Sequence, residues 1–215
     1  MKNQYIIKKA KKIFLTGIGT EVGKTVVSAI LVEKFTMDYW KPVQAGELDF
    51  TDTMKVRSWV KNDASVFHQE QFRLKTPASP HFAAKVDGIQ IKLEDFEVPE
   101  TENNLLVEGA GGLMVPINDK GDLIIDLIPK VADGVILVSR NYLGSINHTM
   151  LSIEALQKRK IPILGLIFNG DSNPATEEII LNKHKLKCLG KVPLLSHIDT
   201  LKIREAGSFI EAIFA

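Results

Sequence analysis

The sequence is poor in the features that mark several protein classes. Its single cysteine, Cys188, among 215 residues excludes an internal disulfide and a cysteine-rich zinc site. It reads as a small buried thiol on a strand, in keeping with a reducing cytoplasm. No apolar run approaches the roughly 18 residues a membrane span needs. Met1–Lys12 carries lysines with no apolar segment after them, so a signal peptide is not expected. A formal net charge of +1 gives no electrostatic footprint for nucleic acid. Repeats, low-complexity tracts and linkers are absent. What is present is ordinary for a globular protein, 45% apolar and 25% charged residues, and one domain over residues 1–215 is the expectation.

Apolar patterning supplies the architecture. Lys12–Thr16 is a short apolar run ending at a glycine-rich turn and reads as a buried strand. Thr25–Phe35 follows with Val26, Ala29, Ile30 and Val32 at helical spacing. Asp38–Val43 reads as a second strand, with Pro42 holding Lys41 extended. Gln44–Asn103 is mixed, mostly helix or loop, with a helix over Thr51–Val60 and a loop over Thr76–Pro80. The regular pattern then resumes. Asn104–Glu108 is a strand before a second glycine turn, Gly109–Gly112. Strands follow at Gly134–Ser139, Ile163–Asn169 and Lys187–Val192, and helices at Ser145–Arg159, Pro174–His184 and Leu201–Phe214. Strands apolar throughout, separated by helices, predict a mostly parallel sheet covered on both faces, a doubly wound α/β domain.

The first turn carries chemistry. In Gly17-Ile18-Gly19-Thr20-Glu21-Val22-Gly23-Lys24-Thr25, glycines allow successive N–H groups to point at phosphate oxygens. The following helix turns its positive N-terminal end to the same anion. Lys24 reaches β- and γ-phosphates, and the Thr25 hydroxyl is suited to Mg²⁺. The spacing departs from G-x-x-x-x-G-K-[ST], which needs glycine at position 18, where Ile18 stands. Five residues separate Gly17 from Gly23.

A phosphate loop says nucleoside triphosphate and leaves the reaction open. A metal needs further oxygen ligands, and Glu108, ending the strand Leu105–Val107, stands at the carboxyl end of the sheet, where open α/β sheets bind ligands. Lys41 also ends a strand and can stabilise charge on a transferring phosphoryl group. Asp52 is either a metal ligand or merely an N-cap or first-turn acid. Asn169 reads a base edge or serves the turn Asn169-Gly170-Asp171. His81 and His148 lack metal-ligand spacing and read as structural. Gly144–Asn147, by itself, is a capped helix start.

Together GIGTEVGKT at Gly17–Thr25, KPV at Lys41–Val43, EGAGG at Glu108–Gly112 and GSINH at Gly144–His148 resemble the dethiobiotin synthetase family, in the family's order. The resemblance implies a P-loop NTPase fold and a homodimer. It implies ATP and Mg²⁺ as cofactors, and the carboxylation and ring closure of 7,8-diaminononanoate with CO₂ to dethiobiotin, ADP and phosphate. It assigns Mg²⁺ to Thr25, Asp52 and Glu108. Lys24 and Lys41 become the lysines that stabilise the carbamate and the phosphoryl group, with Thr20 and Glu21 beside them as catalytic candidates. The nucleotide falls to Glu21, Val22, Gly23, Lys24, Thr25, Val26, Asp52, Glu108, Gly109, Ala110, Gly111, Asn169 and, at the base, Pro193, Leu194 and Leu195. The diamine falls to Lys41, Ala45, Ser79 and Gly111, and its carboxylate to Gly144, Ser145 and Asn147 of the second subunit. Ala45 departs from the family, which usually has Ser or Thr there. The lost hydroxyl bond amounts to about 1 kcal/mol, or about fivefold in affinity.

A plain kinase or NTPase of unknown target is one rival, and two more specific ones fit less well. An amidating ligase on this scaffold needs a glutamine-hydrolysing domain with a nucleophilic cysteine, for which the chain has no residues left. A nucleotide-gated positioning ATPase usually carries a second lysine early in the loop, where Gly19 stands, together with a basic patch or membrane helix.

Overall fold

The computed structural model describes residues 12–214. Most of Met1–Lys12, on which the signal-peptide expectation rests, lies outside them. The chain runs β1 (Lys12–Gly17), α1 (Lys24–Phe35), β2 (Asp38–Trp40), β3 (Val43–Ala45), α2 (Asp52–Trp59), β4 (Phe67–His68), β5 (Phe72–Leu74) and α3 (Pro80–Asp87). It continues with β6 (Leu105–Gly112), α4 (Ile124–Val131), β7 (Gly134–Ser139), α5 (Ser145–Lys158), β8 (Ile163–Asn169), α6 (Pro174–His184), β9 (Cys188–Val192) and α7 (Thr200–Ala206).

Seven strands form one sheet in the order β4-β2-β6-β1-β7-β8-β9, and each adjacent pair is parallel. Strand alternation divides the apolar residues between two faces. Ile13, Leu15 and Leu106 pack with α1 and α7 on one side, whereas Phe14, Leu105 and Val107 pack with α3 and α4 on the other. Covering both faces explains why the central strands read as unbroken apolar runs rather than alternating ones. Toward the β8–β9 edge, Leu137, Ile153, Leu166, Phe168 and Ile180 form a third cluster beneath α5 and α6.

Four expectations need correction. The strand expected over Asp38–Val43 stops at Trp40. Pro42 has no N–H to continue the ladder, and its carbonyl instead accepts from the Phe72 N–H at 2.9 Å. Val43–Ala45 thereby pairs with β5 in a separate two-stranded sheet. The expected glycine turn at Gly109–Gly112 is the end of β6, still beside β1 across a register irregularity between Leu15 and Gly17. The closing helix is shorter than Leu201–Phe214. It ends at Ala206, a 3₁₀ turn over Gly207–Phe209 follows, and Ile210 bridges to Gly190. The Lys34 ammonium accounts for that stop, donating to the carbonyls of Gly207 (2.7 Å) and Ile210. Finally, α3 and α4 were not expected. Pro80 starts α3 in the first turn, where proline is tolerated, while Pro129 inside α4 masked a strongly amphipathic segment.

Among the described residues no helix is long and apolar enough to cross a membrane.

Candidate active site

The loop from β1 to α1 closes over the carboxyl ends of the central strands. Gly23, at φ 90°, caps the start of α1 in the left-handed region, and no side chain caps that terminus. The first N–H groups of the helix are therefore free for an anion. A Cβ at Gly23 would collide with the Asn169 amide, so both backbone conformation and space require glycine there. Asn169 Nδ2 donates to the Val22 carbonyl at 3.0 Å, and Arg140 Nη1 donates to the Glu21 carbonyl at 3.2 Å. The phosphate loop is thus tied to the ends of β7 and β8. On its other side Thr20 lies near Gly111 of β6.

Lys24 is buried and folds back on the loop, donating to the Gly19 carbonyl at 2.9 Å. Burial pulls its ammonium down to about 8, opposed by Glu108 and reinforced by Lys41.

Glu108 is the centre of the arrangement and is 0% exposed. Its Oε1 accepts from Thr25 Oγ1 at 3.1 Å and from Lys41 Nζ at 3.2 Å. Its Oε2 accepts from Ser28 Oγ at 2.5 Å and from Tyr39 OH at 2.9 Å. Lys41 also pairs with Asp52 Oδ2. Burial lowers the Lys41 affinity for its proton, but Glu108 and Asp52 outweigh this and raise it, so the ammonium stays charged. Asp52 is raised by burial and lowered further by Lys41 and Lys55, for a net shift downward. Lys55 stands 3.3 Å from its Oδ1. The helix-start reading of Asp52 matches its position. Thr51 is the N-cap of α2, accepting from the Met54 N–H, and Asp52 is a first-turn acid that nevertheless faces Lys41. Gln44 steadies this turn, accepting from the Asp52 N–H at 3.3 Å.

Thr20–Thr25, Lys41, Asp52, Glu108, Gly109–Gly111 and Asn169 therefore gather at one end of the sheet. Val26 faces the core from α1. Pro193–Leu195 directly follow β9, with Leu194 exposed and Leu195 against the core. Ala45 ends β3 in register with Leu74. Other candidates are not joined to this cluster by any hydrogen bond among the described residues. Ser79 precedes α3 and contacts His81 Nδ1 at 3.1 Å. Gly144 caps α5 at φ 100°, with Ser145 buried and Asn147 exposed. Beside them Tyr142 and the fully exposed Leu143 face outward. His148 holds the Tyr142 hydroxyl at 2.8 Å.

Sequence reading missed Ser28, Tyr39 and Gln44. Two of them carried a signal. Ser28 follows Thr25 by three positions, on the same helical face. Tyr39 precedes Lys41 by two, on the same side of extended chain.

As a donor set, Thr25, Asp52 and Glu108 offer one hydroxyl and two carboxylates, all hard oxygens already gathered around an ammonium. No group of three or more His, Cys, Asp or Glu suited to a metal occurs among the described residues. Few protein oxygens beside a phosphate loop fit Mg²⁺, which keeps waters and takes substrate phosphates as its other ligands.

Fold and site together define a P-loop NTPase-type nucleotide-binding protein. Solved structures agree on the fold alone. A ParA-family ATPase from Chlorobium tepidum TLS superposes with TM-score 0.52 at 12% identity, covering 95% of this chain and 92% of its own. The signal recognition particle receptor FtsY from Elizabethkingia anophelis, in complex with GDP, gives 0.51 at 13% identity, covering 99% of this chain and 67% of its own. A family model described as an AAA domain matches residues 11–201. Sequence relatives are more specific. The ATP-dependent dethiobiotin synthetase BioD of Christiangramia forsetii is 53% identical over 91% of this chain and 93% of its own length. The protein of that name from Cytophaga hutchinsonii is 47% identical over 83% and 86%. The chain belongs to the dethiobiotin synthetase family.

Proposed function

We propose that this chain closes the cyclic urea of dethiobiotin, joining CO₂ to 7,8-diaminononanoate at the expense of ATP. The observation that carries the reading is the convergence of Lys24, Lys41, Asp52 and Glu108 beside a phosphate loop, in a chain with these relatives. One substrate amine takes up CO₂ as a carbamate. The carbamate oxygen attacks the γ-phosphorus, ADP leaves, and a carbamic–phosphoric anhydride results. The second amine attacks the carbamoyl carbon, phosphate leaves, and the ring closes. Both nucleophiles come from the substrate, so the protein's part is positioning and electrostatics.

The α1 N-terminus and Lys24 hold the β- and γ-phosphates. Lys41, charged and buried, is a fixed positive group for the carbamate and the transferring phosphoryl group. Thr25, Asp52 and Glu108 would hold Mg²⁺, which when bound neutralises charge on the phosphate oxygens. Thr20 and Glu21 line the phosphates, and Gly111 stands between nucleotide and diamine. Asn169 reads the base, with Pro193–Leu195 beside it. Ala45 and Ser79 border the diamine.

The start of α5 completes the site from a second copy. Gly144, Ser145 and Asn147 present a helix N-terminus to the substrate carboxylate, and the exposed Tyr142 and Leu143 beside them suit burial in a homodimer. Dependence on ATP and the single cysteine accord with a cytoplasmic enzyme.

The test is phosphate release from MgATP and bicarbonate with and without 7,8-diaminononanoate, with mass spectrometry for dethiobiotin. Release that requires the diamine and yields dethiobiotin is the expected result. Release indifferent to the diamine, with no product, overturns the reading.

A further inference from the structure

Glu108 carries four hydrogen bonds, two on each oxygen, and the two oxygens differ in the partners they hold. Oε2 is closed by two hydroxyls from different elements, Ser28 of α1 at 2.5 Å and Tyr39 of β2 at 2.9 Å. Oε1 meets Thr25 and Lys41, the groups on the phosphate side. Ser28, Tyr39 and Glu108 are each 0% exposed, so water does not compete for these bonds. A glutamate carboxylate can rotate about its last torsion and offer either oxygen, or both, to a cation. Two hydroxyl donors on one oxygen restrain that rotation, because turning the carboxylate away breaks both bonds where no water replaces them.

We infer that Ser28 and Tyr39 are positioning residues that lock Glu108 into meeting the cation through Oε1 alone. This rests on the reading of Glu108 as a Mg²⁺ ligand. Single-oxygen coordination matters because Mg²⁺ demands compact octahedral geometry, whereas a carboxylate free to chelate with both oxygens suits the larger Ca²⁺. The lock also fixes the Thr25 hydroxyl. Its proton points at Glu108 Oε1, which leaves the oxygen lone pairs free to face a cation.

The experiment is an electron paramagnetic resonance titration of Mn²⁺ into the full chain with ADP, followed by displacement with Ca²⁺. Tyr39→Phe and Ser28→Ala each remove a single oxygen and keep the packing. Each is expected to weaken Mn²⁺ binding about tenfold, the scale of losing an outer partner of a metal ligand. Each is also expected to narrow the preference for Mn²⁺ over Ca²⁺, with metal-free ADP binding unchanged. A merely structural role would change the melting temperature without changing that preference. Glu108→Ala separates the possible failures. If it weakens Mn²⁺ binding while Tyr39→Phe and Ser28→Ala leave affinity and preference as in the unsubstituted chain, the inference falls and the metal assignment stands. If Glu108→Ala leaves Mn²⁺ binding untouched, the metal assignment falls and takes the inference with it.

Discussion

Lys41 Nζ, directly after β2, lies 3.2 Å from Glu108 Oε1 of the neighbouring β6, across 67 residues of chain. This ammonium is a cation that the buried carboxylate faces. Replacing it with Met leaves Glu108 wholly buried with hydroxyl partners only. Breaking a buried pair in this way costs about 3–5 kcal/mol. Lys41→Met is therefore expected to melt lower, to be rescued by MgADP more than the unsubstituted chain is, and to lose roughly a hundredfold or more in kcat. Thermal scans with and without MgADP, beside steady-state rates, check all three.

Gly23→Ala is expected to abolish tight nucleotide binding. The left-handed backbone at φ 90° costs a non-glycine residue about 1–2 kcal/mol, and the new methyl meets the Asn169 amide. The loop must move to relieve the collision, which turns its N–H groups away from the phosphates. Calorimetric titration with ADP measures the loss, and urea unfolding measures the strain.

Ala45→Ser restores the hydroxyl that the family usually has. The expected outcome is a KM for 7,8-diaminononanoate about fivefold lower, with the KM for ATP unchanged. An unchanged diamine KM would show that the β3 edge lies outside substrate contact.

Complementation is a direct test of the proposed dimer with shared sites. Lys41→Ala and Asn147→Ala are each expected to be nearly inactive alone. Mixed after reversible dissociation, half of the dimers combine the two subunits, and each of these has one unaltered site. Activity should return to roughly a quarter of the unsubstituted level. Absence of any recovery, with subunit exchange verified, would place each site within one copy.

Acid stability should depend on Asp38 at the start of β2. Burial pushes its carboxyl up, but Asn103, Thr101, the Val66 N–H and His68 outweigh this and hold it below the ordinary carboxylate value. Asn103 Nδ2 and the Val66 N–H donate to Oδ1 at 2.9 and 2.8 Å. A folded value below the unfolded one means a stabilisation fully present above about pH 4. It is lost as pH falls through the folded value. Asp38→Asn should be less stable near neutrality and should show a shallower loss on acidification, read from urea unfolding at a series of pH values.

Local pattern determined much of this protein. The strand, glycine loop and helix at Lys12–Phe35 were legible because apolar periodicity switches there from strand to helix around a loop that only a phosphate requires. Gly134–Ser139 and Pro174–His184 were legible to the residue, bounded as they are by glycine, serine and proline. Where tertiary contacts compete with local preference, the sequence was silent. Pro42 diverts the chain into a second small sheet where Phe72 bonds its carbonyl, and just past the end of α7 Lys34, 173 residues from Gly207, holds the carbonyls of Gly207 and Ile210. The same holds for the site. Lys24 and Thr25 could be named from their motif, but nothing local says that Ser28 and Tyr39 would converge on one oxygen of Glu108. That convergence depends on β6 lying between β1 and β2, an order set by packing the two faces of the sheet, and burial then turns nearby hydroxyls into obligatory partners.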